Sequence, residues 1–476
     1  MTTRAVSARA RRRHAAGPFL LLLLPLILLV WTSSPASAHT RLSASDPTDG
    51  ATRDAPVEQL TLTYSKPVEL LGDTVTLRDG DDHAVEVARS DDGTVVTATF
   101  DPPLEGGSWV ADWRVLASDG HPREGSIAFT VDAPVPTDTP TATSSPSPAA
   151  TPPSDADDPA TGTGAAVGEP PDDPAPPAAT SPVPLEGLAA GARIVFYLGL
   201  LVAVGLVLFK SGPHRGEPER AWVLAGVTAT VAAVAAVAGI VEALLHVGVV
   251  SGDGVTGITD GATLRAVGRT GRGTAVALRT LGLGLVALGA WRRARQRVPS
   301  GPDATALVGA LLAIGSFQFV GHTNSVAPAV VVRLADATHA VAAAVWVGGI
   351  AGLALLARSP DRPARMRTAM RFSNAATGAV VAVGLGGVAL AWTTMPTPSA
   401  LWSTTWGAVL VTKLVLVAVL GAFGAHNHVR LVPRLAANDR SAVVALRQLR
   451  RTVRVEAVLM VAILALTAVL VGLSPV

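Results

Sequence analysis

From about residue 188 to the end of the chain, apolar stretches of membrane-spanning length follow one another, near 188–209, 222–248, 274–291, 303–321, 335–357, 375–394, 406–425 and 455–474. In a bilayer the backbone polar groups of such a stretch are all satisfied internally only when it is helical. The sequence therefore predicts an all-α polytopic membrane domain of eight transmembrane helices over 183–476, with the lipid bilayer as its first partner. The overall balance agrees, since 49% of the 476 residues are hydrophobic and 16% charged.

The connections give the orientation. Segments 210–221, 292–302, 358–372 and 429–454 hold 19 Lys and Arg, against 4 in the three connections on the other side. Positive charge marks the cytoplasmic face, so the expected location is the cytoplasmic membrane with the N-terminal part outside. Arg265, Arg269 and Arg272 are the discordant cluster, because they fall on the outer side.

Ahead of the helices, residues 1–38 read as a secretory signal. Arg4, Arg9 and Arg11 to Arg13 precede an apolar run from Phe19 to Val30, and Ala36-Ser37-Ala38 forms a small-residue cleavage site. The mature chain is then expected to start at His39. Residues 39–132 carry short β-type runs at Gln59–Tyr64, Thr74–Arg78, Ala84–Ala88, Thr94–Phe100, Gly107–Leu116 and Ser126–Val131, which argue for a small all-β sandwich. Residues 133–182 are dominated by Pro, Thr, Ala, Ser and Asp without hydrophobic period, the composition of a disordered linker.

Charge and composition exclude some functions. The segment 39–132 holds 18 Asp and Glu against 7 Lys and Arg, so it attracts cations and repels nucleic acid. Cys is absent, which leaves His, carboxylate, Met and main chain as metal ligands. No phosphate loop of the G-x-x-x-x-G-K-[ST] kind occurs, so the chain is not expected to use ATP directly.

Within the acidic segment His39, Asp119 and His121 form a candidate metal set. Once the signal is removed, the α-amino nitrogen and Nδ1 of His39 can chelate one ion, and Asp119-x-His121 supplies a carboxylate and an imidazole from a turn marked by Gly120 and Pro122. Nitrogen and oxygen donors in a tetragonal arrangement suit Cu(II). The opening from Ala38 to Gly50, the strand Leu60–Ser65 leading into Lys66-Pro67-Val68, and the run Ser118–Pro122 resemble the CopC family of periplasmic copper-binding proteins. That resemblance implies a Greek-key, immunoglobulin-like sandwich and assigns His39, Asp119 and His121 to Cu(II). The segment contains no Met, which argues against a Cu(I) site there. His83, in an acidic turn, reads as a solvent-exposed loop histidine.

Ionisable side chains inside the spans are the second constellation, since burying them there is costly. On the topology above His246, His322 and His339 all lie in the outer half of the membrane. Asp336, His339 and Trp346 share one helix face. Glu242, one turn before His246, is placed to pair with Arg279, and Met395 offers a soft ligand at the outer surface. Gly321-His322, Asp336-x-x-His339 ending in Trp346-x-Gly348-Gly349, Arg371-Phe372-Ser373, Lys413-Leu414 and Asn427 resemble the CopD family of copper-resistance membrane proteins.

Together the resemblances imply a non-enzymatic copper homeostasis protein that captures Cu(II) outside and moves copper inward, and the common outer position of His246, His322, His339 and Met395 makes them the expected path. The copper redox state in the membrane stays open, and an extracytoplasmic copper donor or reductase is the remaining candidate partner. Two enzymes compete with this reading. An N-terminal His with a second His also resembles the histidine brace of copper oxygenases, although Asp119 would fill the position oxygen needs. His426 and His428 at the inner end of one span keep a haem-binding membrane oxidoreductase in play.

Overall fold

A computed structural model describes residues 40–78, 83–118, 120–132, 183–218, 220–320, 329–357, 359–395, 397–431, 433–434, 440–471 and 473. His39, Asp119 and His322 lie outside these residues, as do the expected signal and linker.

The N-terminal part is a sandwich of two four-stranded sheets. Strands β1 (Leu42–Asp46), β3 (Val57–Tyr64), β6 (Val95–Leu104) and β5 (Ala84–Arg89) form one sheet in the order β1-β3-β6-β5. Strands β2 (Ala51–Arg53), β8 (Pro122–Val131), β7 (Gly107–Ala117) and β4 (Val68–Leu77) form the other in the order β2-β8-β7-β4. Alternation along β3 sends Leu60, Leu62 and Tyr64 inward, and β7 answers with Ala111, Trp113 and Val115. The Tyr64 and Trp113 rings meet edge to face at 5.6 Å. All six expected strands are present; β1 and β2 add two more, too short to show a period. His83 is not a simple solvated side chain, because its Nδ1 lies 2.7 Å from the Pro102 carbonyl and its ring stands edge-on to Trp109.

The C-terminal part is helical. In chain order it contains α1 (Val183–Ser211), α2 (Ala221–Ser251), a short α3 (Gly261–Arg269), α4 (Gly271–Gln296), α5 (Ala304–Gly315), α6 (Ala329–Leu356), α7 (Arg362–Thr394), α8 (Thr405–His426) and α9 (Arg440–Leu470). Seven of these, α1, α2, α4, α6, α7, α8 and α9, are long and apolar enough to cross a membrane, so the chain is a multi-pass membrane protein. The expected eighth span is not confirmed among the described residues. The stretch placed at 303–321 is helical but spans only Ala304–Phe319, its last turn tightened to a 3-10 helix, and falls short of a full span. At the polar ends several helices outrun their apolar stretches: α7 starts at Arg362 and α9 at Arg440, because arginine-rich residues propagate a helix as readily as apolar ones.

Close crossings set the packing. A Cβ on Gly205 of α1 would lie 2.6 Å from the Gly348 Cα, so these two glycines let α1 and α6 touch backbone to backbone. The adjacent Gly349 faces the Phe372 ring of α7. Both glycines of the Trp346-x-Gly348-Gly349 motif are thus accounted for by packing.

Candidate copper-handling site

Strands β7 and β8 are joined by a tight hairpin that carries His121. Leu116 pairs with Pro122, the Ala117 amide donates to the His121 carbonyl at 3.0 Å, and the Gly120 amide donates to the Ala117 carbonyl at 2.8 Å. Gly120 sits at φ +82°, a conformation that a side chain resists. The Asp-Gly-His-Pro sequence is therefore the tip of the sandwich.

This tip rests on the helical domain. The Nε2–H of His246 on α2 donates to the Gly120 carbonyl at 2.9 Å, and the Gly271 amide at the start of α4 reaches the Ser118 carbonyl at 3.4 Å. An N-terminal amide of a helix has no partner within the helix, so the hairpin supplies one. Gly120 is needed here for a second reason, since a Cβ would approach Arg272 Cβ to 3.1 Å. Arg114 of β7 donates to the Ser251 carbonyl at the C-terminal end of α2 at 3.3 Å, where a cation suits the helix dipole. Glu69 of β4 lies 3.6 Å from Arg269. Between these polar contacts Leu71 and Leu116 pack against Val247, Val250, Ala266 and Val267 in a buried apolar cluster.

Directly beneath, Glu242 gathers three arginines. Arg272 contacts one carboxylate oxygen at 2.5 Å and Arg193 the same oxygen at 3.4 Å, while Arg279 contacts the other at 2.8 Å. Arg279 also lies over the Phe196 ring at 4.4 Å. The expected Glu242 to Arg279 pair is present, and Arg272 and Arg193 are the partners the sequence reading missed. The outer-side arginines had carried the signal: of that cluster Arg272 serves Glu242 and Arg269 serves Glu69.

The other membrane residues are distributed rather than gathered. His339 directs Nδ1 to the Val383 carbonyl of α7 at 2.9 Å, where Gly386 and Gly387 give its ring room. Asp336 accepts a hydrogen bond from Gln318 at 2.9 Å, not from His339. Met395 caps α7 through its own amide, donating to the Ala391 carbonyl at 3.0 Å, and is half-buried. Among the described residues no group of three or more His, Asp or Glu side chains is arranged to hold a metal. His246 and His339, the described histidines of the expected membrane path, nevertheless each have one ring nitrogen fixed by a main-chain carbonyl. In a neutral ring the lone pair is then on the other nitrogen, which is how proteins usually prepare a histidine for a metal.

The end of the helices away from the sandwich has its own network. Glu217, between α1 and α2, receives a two-armed contact from Arg367 at 2.9 and 3.0 Å, and Arg371 stands at 3.6 Å. Hydrogen bonding from Arg367 holds the Glu217 carboxyl below its usual range. His428 Nδ1 meets Ser373 Oγ at 2.6 Å, and Asn427 donates to Glu456 at 2.7 Å while accepting from Thr452 at 2.9 Å.

A β-sandwich whose His-bearing hairpin is seated on apolar spanning helices defines a multi-pass membrane protein with an appended β domain. Comparison with known proteins places it. Residues 42–132 match the CopC domain, residues 184–329 the N-terminal domain of copper resistance protein D-like proteins, and residues 366–470 copper resistance protein D. The copper resistance protein C of Xanthomonas campestris pv. juglandis is 37% identical over 107 residues, which cover 21% of this chain and 84% of that protein. The copper transport protein CutJ of Bacillus subtilis (strain 168) is 24% identical over 418 residues, 83% of this chain and 69% of that one. The crystal structure of CopC from Methylosinus trichosporium OB3b is 28% identical, covers 20% of this chain and 95% of its own, and gives a TM-score of 0.18. The chain belongs to the CopC family of copper resistance proteins, here fused to a CopD-type membrane domain.

Proposed function

We propose that the chain captures Cu(II) outside the cytoplasmic membrane on its CopC domain and imports copper through its CopD-type helices. His39, exposed as a new N-terminus by signal cleavage, would bind the ion with Asp119 and His121. The copper then passes to the outer ends of the helices, where His246, His322, His339 and Met395 are the candidate ligands. The similarity to a copper transport protein over most of the chain supports the transport half of this reading. The observation that carries it is local: the hairpin bearing His121 is held against His246, so the proposed binding site and the first membrane histidine are neighbours.

Neutral imidazoles fit this task. They take a cation without placing an uncompensated anion in the membrane, and Glu242 is already committed to its arginines. Copper is the cargo and the chain supplies binding and passage, with no chemical conversion.

Copper accumulation in cells with and without the protein is the direct test. Cells expressing the parent should accumulate more copper, and His339→Ala should abolish the gain while Cu(II) binding at the sandwich is kept. If a folded, inserted His246→Ala, His322→Ala, His339→Ala variant accumulates copper like the parent, the path runs elsewhere. Efflux in place of accumulation would reverse the direction.

A further inference from the structure

The long segment between the sandwich and α1 invites the picture of a domain that swings on a tether and delivers copper by encounter. The interface argues otherwise. It combines an apolar cluster of six residues, an ion pair, and three polar contacts to main-chain carbonyls, and every element on the membrane side belongs to α2, α3 or the start of α4. Taking Leu and Val side chains out of water is favourable, so the apolar cluster alone favours a seated domain. The hairpin touches the helices through the Ser118 and Gly120 carbonyls, and His121 follows directly after the second of them.

We propose that the CopC domain works docked on the helical domain and that copper passes from His121 to His246 within this interface, without release to solvent. The inference rests on the copper-import reading and adds the route by which the cargo leaves the sandwich. The step is a ligand exchange: the copper bonds to His39, Asp119 and lastly His121 break as a copper–nitrogen bond to Nδ1 of His246 forms, and no electron or proton need change place. The Nε2–H of His246 already donates to the Gly120 carbonyl, which fixes the ring on the hairpin and leaves the Nδ1 lone pair of the neutral ring for the ion. Docking makes this a transfer between neighbours, at a local concentration a free carrier would not reach.

The chain contains no cysteine, so an introduced pair is a specific reporter. Glu69→Cys with Arg269→Cys replaces the interface ion pair and can be bridged by a short bis-maleimide in intact membranes. Ser108→Cys with Arg269→Cys is the control. Leu116 at the seat and Ser108 are separated by most of β7, about 25 Å at strand rise. Bridging is expected for the first pair and not for the second, with or without Cu(II). Equal bridging of both pairs, or none of the first, overturns docking. Val250→Asp, which spoils the apolar contact from the helical side, should suppress bridging while the sandwich still binds Cu(II); unchanged bridging counts against the interface.

The bridged protein should then accumulate copper within about twofold of the unbridged double variant. A bridged protein that has lost uptake while its unbridged form transports would show that the domain must leave. His246→Ala should abolish uptake even when the bridge holds the hairpin in place; uptake that persists means His246 only positions the hairpin. If the parent moves no copper at all, the import reading fails instead, and the bridging result still decides docking.

Discussion

At the scale of single residues, the histidines divide by what holds them. His121 is on a two-strand tip whose geometry is fixed by Gly120 and Pro122, and its replacement should leave the fold intact. His121→Ala is expected to lower Cu(II) affinity by orders of magnitude, measured by competition titration of the full chain; equal affinity would remove His121 from the ligand set. His83 is the instructive contrast. Its contacts with the Pro102 carbonyl and Trp109 are structural, so His83→Ala should leave copper affinity unchanged. Losing one hydrogen bond and one ring contact costs about 1–2 kcal/mol, several degrees in the melting temperature of a domain this size. Thermal unfolding followed by circular dichroism would show it. The sequence placed His83 in an acidic turn, and that much was legible. Its partner Trp109 lies on β7 and was not, because His83 directly precedes β5 of one sheet and Trp109 is in the other, and only their packing brings the two together.

At the scale of elements, glycine and a buried carboxylate do the positioning. Gly205 and Gly348 let α1 and α6 cross at backbone contact, and side chains there have nowhere to go. Gly348→Val should destabilise the helical domain by several kcal/mol, since the obstacle is main chain and cannot yield. Detergent-solubilised material would show a lower unfolding temperature or none that is cooperative. Between α1 and α2, Glu217 couples to Arg367 and Arg371 of α7. Its carboxyl is held below the usual value of 4.5, so the folded state binds the proton less well than the unfolded chain does. The sign follows from that difference. Stability from Glu217 is fully present above that value and is lost as the pH falls through the lower folded value. Glu217→Gln should therefore be less stable than the parent at neutral pH, and the gap should narrow below pH about 4.5 in acid-unfolding curves. A constant gap across that window would mean that the contribution is not ionic.

The whole molecule is set by where the sandwich sits and how it is connected. The last described residues of the sandwich, Val131 and Asp132, lie at the end of β8 opposite the docked hairpin, since Val131 pairs with Gly107 at the far end of β7. The chain must return from there to α1, whose early residue Leu185 lies beside Gly248 of α2 near the docked face. That return is about 30 Å along the strands alone. Ten residues reach about 35 Å only when fully stretched, whereas the 50 residues from 133 to 182 have ample contour length. Shortening this segment to ten residues should thus weaken bridging of the Glu69→Cys, Arg269→Cys pair and reduce copper accumulation at low copper supply. Unchanged bridging would show that the chain takes a shorter path home.

What the sequence determined alone is whatever depends on short-range pattern. Apolar length fixed the membrane helices, alternation fixed six strands, and Gly120 with Pro122 marked the turn that carries His121, because each is decided by a few neighbouring residues and the phase they impose. Glu242 with Arg279 was also readable, as two charges that a membrane interior would not tolerate apart. Among the described residues the eighth span is not confirmed, for the same kind of reason. Hydropathy measures how apolar a stretch is, while the length of Ala304–Phe319 was settled by where its helix tightens and ends. Only the tertiary structure could decide that Arg272 and Arg193 join Glu242, that Arg269 answers Glu69, and that His246 meets the Gly120 carbonyl across 126 residues of chain. Those contacts join surfaces whose separate sequences carry no mark of each other. They arise from packing one folded domain on another, and it is packing that brings the proposed copper hairpin to the membrane.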